Sequence, residues 1–301
     1  MLPISFIHAA NTYPRPSFGT STPVPLENRI QTVLDVIPLL LAHLKITHIS
    51  LACQSSGTIY GFNLLSAYPD LLSPTNPSIT FFSPWVHQSI SSVSGVVLAS
   101  KLPNVLLNGW NSIVGFVMNT AQPAFSVSGG AITAVKSVFK SKVLTEEEVN
   151  EEERKCMEGL GISSDVRDEL DKLMFKHMFA ENTAGGNDEA RMCMKSTKGT
   201  SWYACEDYEE CIRNLAMVWE KRVHDGSEKL KVNVVLPEED DLVGHKGMEY
   251  FERCWGHDRC GSGIEVRIVK MKGTDHDTTA SPTEDYLPKM LQELRSGTDM
   301  S

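Results

Sequence analysis

The sequence has little positive charge and no secretion signal, and both deficits narrow its possible functions. Its 28 basic side chains are outnumbered by 38 acidic ones, which gives a net charge of −10. A surface of that sign repels phosphate backbones, so no nucleic-acid partner is expected. The first residues lack a basic segment followed by a long apolar run, and no Asn-x-Ser/Thr glycosylation site occurs. We therefore expect a cytoplasmic protein whose seven cysteines stay reduced.

Motifs for cofactors, metals and membrane spans are also missing. There is no glycine-rich phosphate loop, so no cofactor is expected. Cys254, His257 and Cys260 have a spacing that suits zinc, but a structural zinc site needs four ligands and no fourth is nearby. Residues 105–121 are mostly apolar, yet three asparagines interrupt them. A membrane span needs about 20 predominantly apolar residues, so a buried helix or an apolar lid is favoured there over a stable span.

The apolar side chains follow an order of helices and strands that is typical of α/β proteins. Apolar residues at helical spacing come first, then a short apolar run, a tight turn and a second helical segment. This alternation predicts a mostly parallel sheet with flanking helices. The predicted strands cover residues 48–53, 78–82, 231–236 and 265–269, and the main predicted helices cover residues 26–44, 58–65 and 284–294.

A long insertion separates the second predicted strand from the third. The first part of it is nearly uncharged, because residues 71–135 contain Lys101 as their one Lys, Arg, Asp or Glu. The rest is mostly helical or irregular in character. We predict a core made of residues 1–83 and 229–301, with a mainly helical cap over residues 84–228, inserted after the strand that leads into Pro84-Trp85-Val86.

The turn after the first predicted strand, residues 53–57, reads Cys-Gln-Ser-Ser-Gly. It places Ser55 between two small residues where a strand meets a helix. A nucleophile on so sharp a turn needs small neighbours, because the backbone is crowded there. The helix that follows directs backbone N–H groups at a developing oxyanion. The same residues also fit a serine-rich helix cap, so the rest of the chain must decide between the two.

Polar residues also follow the last two predicted strands. Four acidic residues, 238–241, come after the third strand, and His276 comes after the fourth. Ligand sites of α/β sheets lie at the carboxyl ends of the strands. Ser55, Asp240 and His276 thus occur in the chain order nucleophile, acid and histidine.

Four segments together resemble the α/β-hydrolase fold family, of the kind with a helical cap. Residues 15–23, Arg-Pro-Ser-Phe-Gly-Thr-Ser-Thr-Pro, are similar to the family's D-R-P-G-F-G-x-S-x-P loop. The other three are the turn at residues 53–57, the acidic block at 236–243 and the histidine block at 272–277. The resemblance runs from about residue 14 to the end of the chain and implies an α/β-hydrolase sheet.

The resemblance also implies a role for each matching residue. Ser55 would be the nucleophile, His276 its general base and Asp240 the acid that orients the imidazole. The backbone N–H of Ser56 would be one oxyanion donor. The other carboxylates weighed are Asp241 and Glu239, as competing acids, and Asp275 and Asp277, as turn-formers.

The family normally has three or four strands before the loop at residues 15–23, with a His-Gly turn that supplies a second oxyanion N–H. Here about 14 residues precede the loop, with one short apolar run at residues 4–7. We therefore expect an N-terminally short hydrolase in which the strand before Ser55 lies at a sheet edge. A missing oxyanion donor lowers the rate and an exposed apolar edge associates, so weak activity and homo-oligomers are expected.

The expected function is that of a serine hydrolase acting on an ester, thioester or lactone of a small apolar molecule. Proteins that resemble this chain often serve secondary-metabolite pathways, which is the implied setting. Two alternatives stay open. One is a catalytically impaired member that binds a ligand or partner through its cap, and the other is a lyase or cyclase that uses the same three residues.

Overall fold

The structure is a computed structural model that describes residues 15–93, 96, 146–180, 184–197 and 199–296. Four parallel strands form one sheet in the order β1-β2-β3-β4. The strands are β1 Leu51–Gln54, β2 Ser78–Phe82, β3 Leu230–Pro237 and β4 Ile264–Met271. The described helices are α1 Arg29–Leu44, α2 Gly57–Ala67, α3 Gln88–Ser91, α4 Glu146–Leu160, α5 Ser164–Ala180, α6 Ala184–Cys193, α7 Tyr208–His224, α8 Gly244–Cys254, α9 His257–Cys260 and α10 Tyr286–Ser296, with 3₁₀ turns at Leu26–Asn28, Pro69–Leu71 and Tyr203–Cys205.

Both faces of the sheet are covered. Neighbouring residues of a strand point to opposite faces, and the two central strands bury both. Phe81 belongs to the larger apolar cluster, which includes side chains of α1, α2, α7 and α8. Phe82 and Val235 belong to a second cluster with Tyr286 and Met290 of α10. Parallel sheets are stable in this doubly covered arrangement, which explains the adjacent apolar residues at Phe81–Phe82 and Val234–Leu236.

The α/β architecture and the parallel sheet are confirmed, and most element limits shift by one to three residues. The first strand is shorter than predicted: its ladder begins at Leu51, and Ile49 forms an isolated bridge with Leu72. The preceding helix ends at Leu44, and Lys45 adopts a left-handed conformation with φ of 57°. The chain must then cross from that helix end to the sheet, so residues 46–50 serve as a connection.

The described residues between β2 and β3 are helical or irregular, with α3 to α7 among them. Side chains that donate to backbone carbonyls connect α6, the segment after β2, the segment before α7 and α7 itself. The Trp85 indole N–H donates to Cys193 at 3.2 Å, and the Trp202 indole N–H donates to Met192 at 2.9 Å. The Tyr208 hydroxyl donates to the Trp85 carbonyl at 2.8 Å. The division into core and cap stays a prediction.

Several sequence-based expectations fall outside the described residues. Residues 105–121, for which a buried helix or an apolar lid is favoured, lie outside them. Residues 1–14, on which the expected lack of N-terminal strands depends, also lie outside them. Of the helices that the structure does describe, none is long and apolar enough to cross a membrane.

The two thiols with zinc-like spacing, Cys254 and Cys260, are buried in the apolar core. Burial raises the pKa of Cys254 and of Cys260 to about 11. In the part of the chain that the structure describes, no group of three or more His, Cys, Asp or Glu side chains could hold a metal ion.

Candidate active site

The turn after β1 holds Ser55 in a strained backbone conformation. Its φ of +50° lies in the left-handed region, at a cost of about 1–3 kcal/mol for a residue other than glycine. Backbone hydrogen bonds hold it there: the Ser55 N–H donates to Phe82 at 3.1 Å, and the Ser55 carbonyl accepts from Thr58 at 3.0 Å and Trp85 at 3.3 Å. Helix α2 begins at Gly57. The turn is therefore the sharp strand-to-helix elbow that the sequence predicts.

The tightest packing near the elbow lies one helical turn beyond the motif. A Cβ added at Gly57 would sit 3.7 Å from the Cβ of Cys53, which is an ordinary contact. A Cβ added at Gly61 would instead overlap the Cys53 sulfur. Cys53 is buried, and burial raises the pKa of its thiol to about 12. The packing of β1 on α2 therefore leaves no room for a side chain at Gly61, where the helix faces Cys53.

His276 bridges Ser55 and Asp240. Its Nε2 lies 2.8 Å from the Ser55 Oγ, and its Nδ1 lies 2.8 Å from the Asp240 Oδ2. The second carboxylate oxygen, Oδ1, accepts from the backbone N–H groups of Leu242 at 2.9 Å and Val243 at 2.7 Å. Asp240 and His276 are both buried. A carboxylate at Nδ1 keeps the proton on that nitrogen, so Nε2 is left to accept the serine proton.

Asp240 is the carboxylate that contacts His276 among the described residues. Asp241 and Glu239 are exposed. The Oδ1 of Asp275 accepts from two backbone N–H groups of its own turn, at 3.0 and 3.1 Å. The geometry therefore gives the imidazole contact to the acid that the resemblance implies.

Ser56 lies between the nucleophile candidate and the first residue of α2. Its backbone N–H makes no hydrogen bond to another described residue. Helix α2 has 11 residues, and its N-terminus adds a partial positive charge at this point. An oxyanion formed at Ser55 would thus meet an available N–H group and a favourable helix dipole.

Two side chains at the site were not assigned a role from the sequence. The Gln54 amide donates to the carbonyls of His276 at 3.4 Å and Asp277 at 3.2 Å, which ties the histidine loop to the end of β1. Arg15 reaches the elbow from the loop before α1, with its Nη1 3.3 Å from the Ser56 Oγ. Neither contact has a local signal in the sequence, because the partners lie 222 and 41 residues away.

The parallel sheet, the strained serine elbow after β1, and the acid and histidine after β3 and β4 are the features of the α/β-hydrolase fold. The chain has this fold.

No protein-family model matches the chain, and no curated protein sequence matches it. Among solved structures, an enol-lactonase from Burkholderia xenovorans LB400 is 11% identical, with 93% of this chain and 78% of that one covered and a TM-score of 0.47. The α/β hydrolase MGS-M2 from a Medee basin deep-sea metagenome library is 14% identical, with 96% and 80% covered and a TM-score of 0.47. An esterase from Exiguobacterium antarcticum is 10% identical, with 93% and 79% covered and a TM-score of 0.47.

Proposed function

We propose that the chain is a serine hydrolase that cleaves a carboxylic ester, thioester or lactone of a small, largely apolar molecule. The observation that carries the proposal is the chain of contacts from Ser55 through His276 to Asp240, with 2.8 Å at both steps. A serine that only caps a helix would not require hydrogen bonding to a buried imidazole that is itself bonded to a buried carboxylate. The strained φ of Ser55 adds support, because strain of this kind concentrates at functional sites.

In the proposed reaction, the Ser55 Oγ attacks the substrate carbonyl while its proton passes to the His276 Nε2. Asp240 stabilises the imidazolium that forms. The tetrahedral intermediate then collapses, and His276 returns the proton to the departing alcohol or thiol. A water molecule attacks the acyl-enzyme by the same steps in reverse order, releases the acid and restores Ser55.

The Ser56 N–H is the proposed donor to the oxyanion of both tetrahedral intermediates. Its position at the start of α2 supports this role, because the helix dipole acts in the same direction. Removal of one oxyanion donor costs about 10²–10³ in kcat in serine hydrolases. The side chain of Ser56 has no part in this role, so its hydroxyl is expected to be dispensable.

The proposed setting is a reducing compartment such as the cytoplasm, within a secondary-metabolite pathway. All seven cysteines are free, which supports the compartment. The pathway is proposed on the resemblance alone.

The test is labelling with a fluorophosphonate probe, which reacts with an activated serine. The wild-type chain should be labelled at Ser55, and Ser55→Ala should remove the label. Ser56→Ala is the matched control, because it removes the neighbouring hydroxyl and keeps the backbone N–H. Loss of labelling in Ser56→Ala, with labelling retained in Ser55→Ala, would contradict the assignment. A labelled protein that releases no acid from any ester, but converts it to an isomer, would point to the lyase or cyclase instead.

A further inference from the structure

A cluster of charged side chains, defined here as the Arg15 cluster, joins α6 to the elbow. Two acids at its centre lie on α6, and the cations come from the loop before α1, from α1 and from α6 itself. The Glu189 Oε2 accepts from Arg15 at 3.1 Å, and the Glu189 Oε1 accepts from Arg29 and from the Tyr60 hydroxyl, both at 2.7 Å. The members of the cluster are Arg15, Arg29, Tyr60, Asp188, Glu189 and Arg191.

The charges of this cluster do not balance among the described residues. Asp188 pairs with Arg29 at 3.3 Å and with Arg191 at 2.6 Å, and Glu189 pairs with Arg15 and Arg29. Three cations therefore share two carboxylates. Arg29 is fully buried and contacts both acids, so it already gives buried Glu189 a cation. Arg15 brings a second cation to the same carboxylate, which the burial of Glu189 does not require.

Arg15 is the member of the cluster that both reaches the elbow and meets solvent. Its side chain is 36% exposed, while that of Arg29 is 0% exposed. The same nitrogen that contacts Glu189 lies 3.3 Å from the Ser56 Oγ, next in the chain to the nucleophile candidate. In a chain with a net charge of −10, this partly exposed cation at the residue after the nucleophile candidate is positive where most of the chain's charge is negative.

The position of the guanidinium is fixed by its own loop. Its carbon lies 5.1 Å from the centre of the Phe18 ring, and this ring fills the space in front of Gly185, where any Cβ would overlap it. The Gly185 N–H donates to the Ser17 carbonyl at 2.8 Å. The loop and α6 thus hold Arg15 at the elbow before any ligand arrives.

We propose that Arg15 binds a carboxylate carried by the substrate, so that the preferred substrate is an acyl ester with one anionic group close to the scissile carbonyl. A guanidinium presents several N–H donors in one plane and matches a carboxylate with two parallel hydrogen bonds. Glu189 and Ser56 use one of its nitrogens. This inference rests on the proposed serine-hydrolase reaction and deepens it, because it replaces a wholly apolar acyl group with one that carries a negative charge.

The test compares two p-nitrophenyl esters with four-carbon acyl groups, the neutral butyrate and the anionic succinate half-ester. In Arg15→Gln, the ratio of kcat/KM for the succinate to that for the butyrate should fall roughly 10- to 100-fold, as expected for one lost charge-assisted contact. Arg15→Lys should restore part of the ratio. Arg191→Gln is the matched control, since it removes a cation of the same cluster that does not contact the elbow, and it should leave the ratio unchanged. An equal loss on both esters in Arg15→Gln would show a purely structural role and overturn the proposal.

A binding experiment separates this proposal from the proposed function. Calorimetry would measure the binding of methyl hydrogen succinate to Ser55→Ala, with and without Arg15→Gln. Binding that weakens roughly tenfold or more without Arg15 supports the carboxylate site, even in a chain that hydrolyses neither ester. Binding that is undetectable, or that is equal in both variants, contradicts the carboxylate site, even in a chain whose esterase activity is confirmed.

Discussion

Replacement of Asp240 by asparagine should reverse the hydrogen bond that prepares His276. The Oδ1 of Asp240 accepts two backbone N–H groups, from Leu242 at 2.9 Å and Val243 at 2.7 Å. Leaving the buried Val243 N–H unpaired costs about 1–3 kcal/mol, and the half-buried Leu242 N–H adds to this, so the single oxygen of Asn should stay at that position. The Asn amide nitrogen then faces the Nδ1 of His276 and donates to it. The imidazole must carry its proton on Nε2, where it cannot accept the proton of Ser55.

The expected loss for Asp240→Asn is about 10⁴ in kcat, or about 5.5 kcal/mol in activation free energy, because the wrong tautomer is held in place. The assay is the steady-state hydrolysis of p-nitrophenyl butyrate, with the rate of fluorophosphonate labelling as a readout that needs no turnover. Asp241→Asn is the matched control, because that carboxylate is exposed, and it should retain most of the activity. A thermal melt would show that both variants fold. Retention of more than a tenth of kcat in Asp240→Asn, or an equal loss in Asp241→Asn, would refute the reasoning.

Two further predictions concern the packing and protonation of Cys53. Gly61→Ala should destabilise the protein by about 1–3 kcal/mol, because the new methyl group overlaps the Cys53 sulfur, and Cys53→Ala should reverse most of this loss in the double variant. Urea denaturation measures both effects, and an additive double variant would contradict the contact. The second prediction follows from the raised pKa of the Cys53 thiol, about 12 in the folded chain against an ordinary value of 9.0. Above pH 9 the unfolded chain loses this proton first, so the free energy of unfolding should fall as the pH rises, by up to about 2 kcal/mol at pH 10.5. Cys53→Ala should decline less steeply in urea titrations at pH 8 and 10.5, and equal slopes would contradict the assignment.

The sequence predicts the fold because its strongest signals are local. Strands β2 and β3 end in adjacent buried apolar residues, Phe81–Phe82 and Val234–Leu236, and these stand out from the helical spacing around them. The elbow is also a local signal, because its small residue, serine and glycine all lie within residues 53–57. The steric reason for that pattern is only partly confirmed, since the close contact of Cys53 is with Gly61 and not with Gly57. The chain order of Ser55, Asp240 and His276 then follows from the order of the strands.

The choice among neighbouring carboxylates is less local. Asp240, Asp241 and Glu239 are all carboxylates that follow the same strand, and the resemblance alone favours Asp240. In the structure, the backbone after β3 turns so that two N–H groups point at the Asp240 carboxylate, which buries it beside His276. Asp240 is buried against the histidine loop that follows β4, and the residues of the acidic block carry no information about that loop.

The contacts of Gln54 and Arg15 are decided by tertiary structure alone. Gln54 meets the histidine loop 222 residues later, and Arg15 meets Glu189 174 residues later. Hydrophobic periodicity and motif spacing report on a residue's own element, and a hydrogen bond between distant polar side chains leaves no mark on either. Folding of the sheet and docking of α6 bring these groups together, and so the sequence determined the nucleophile elbow, while the three-dimensional packing decided which charges surround it.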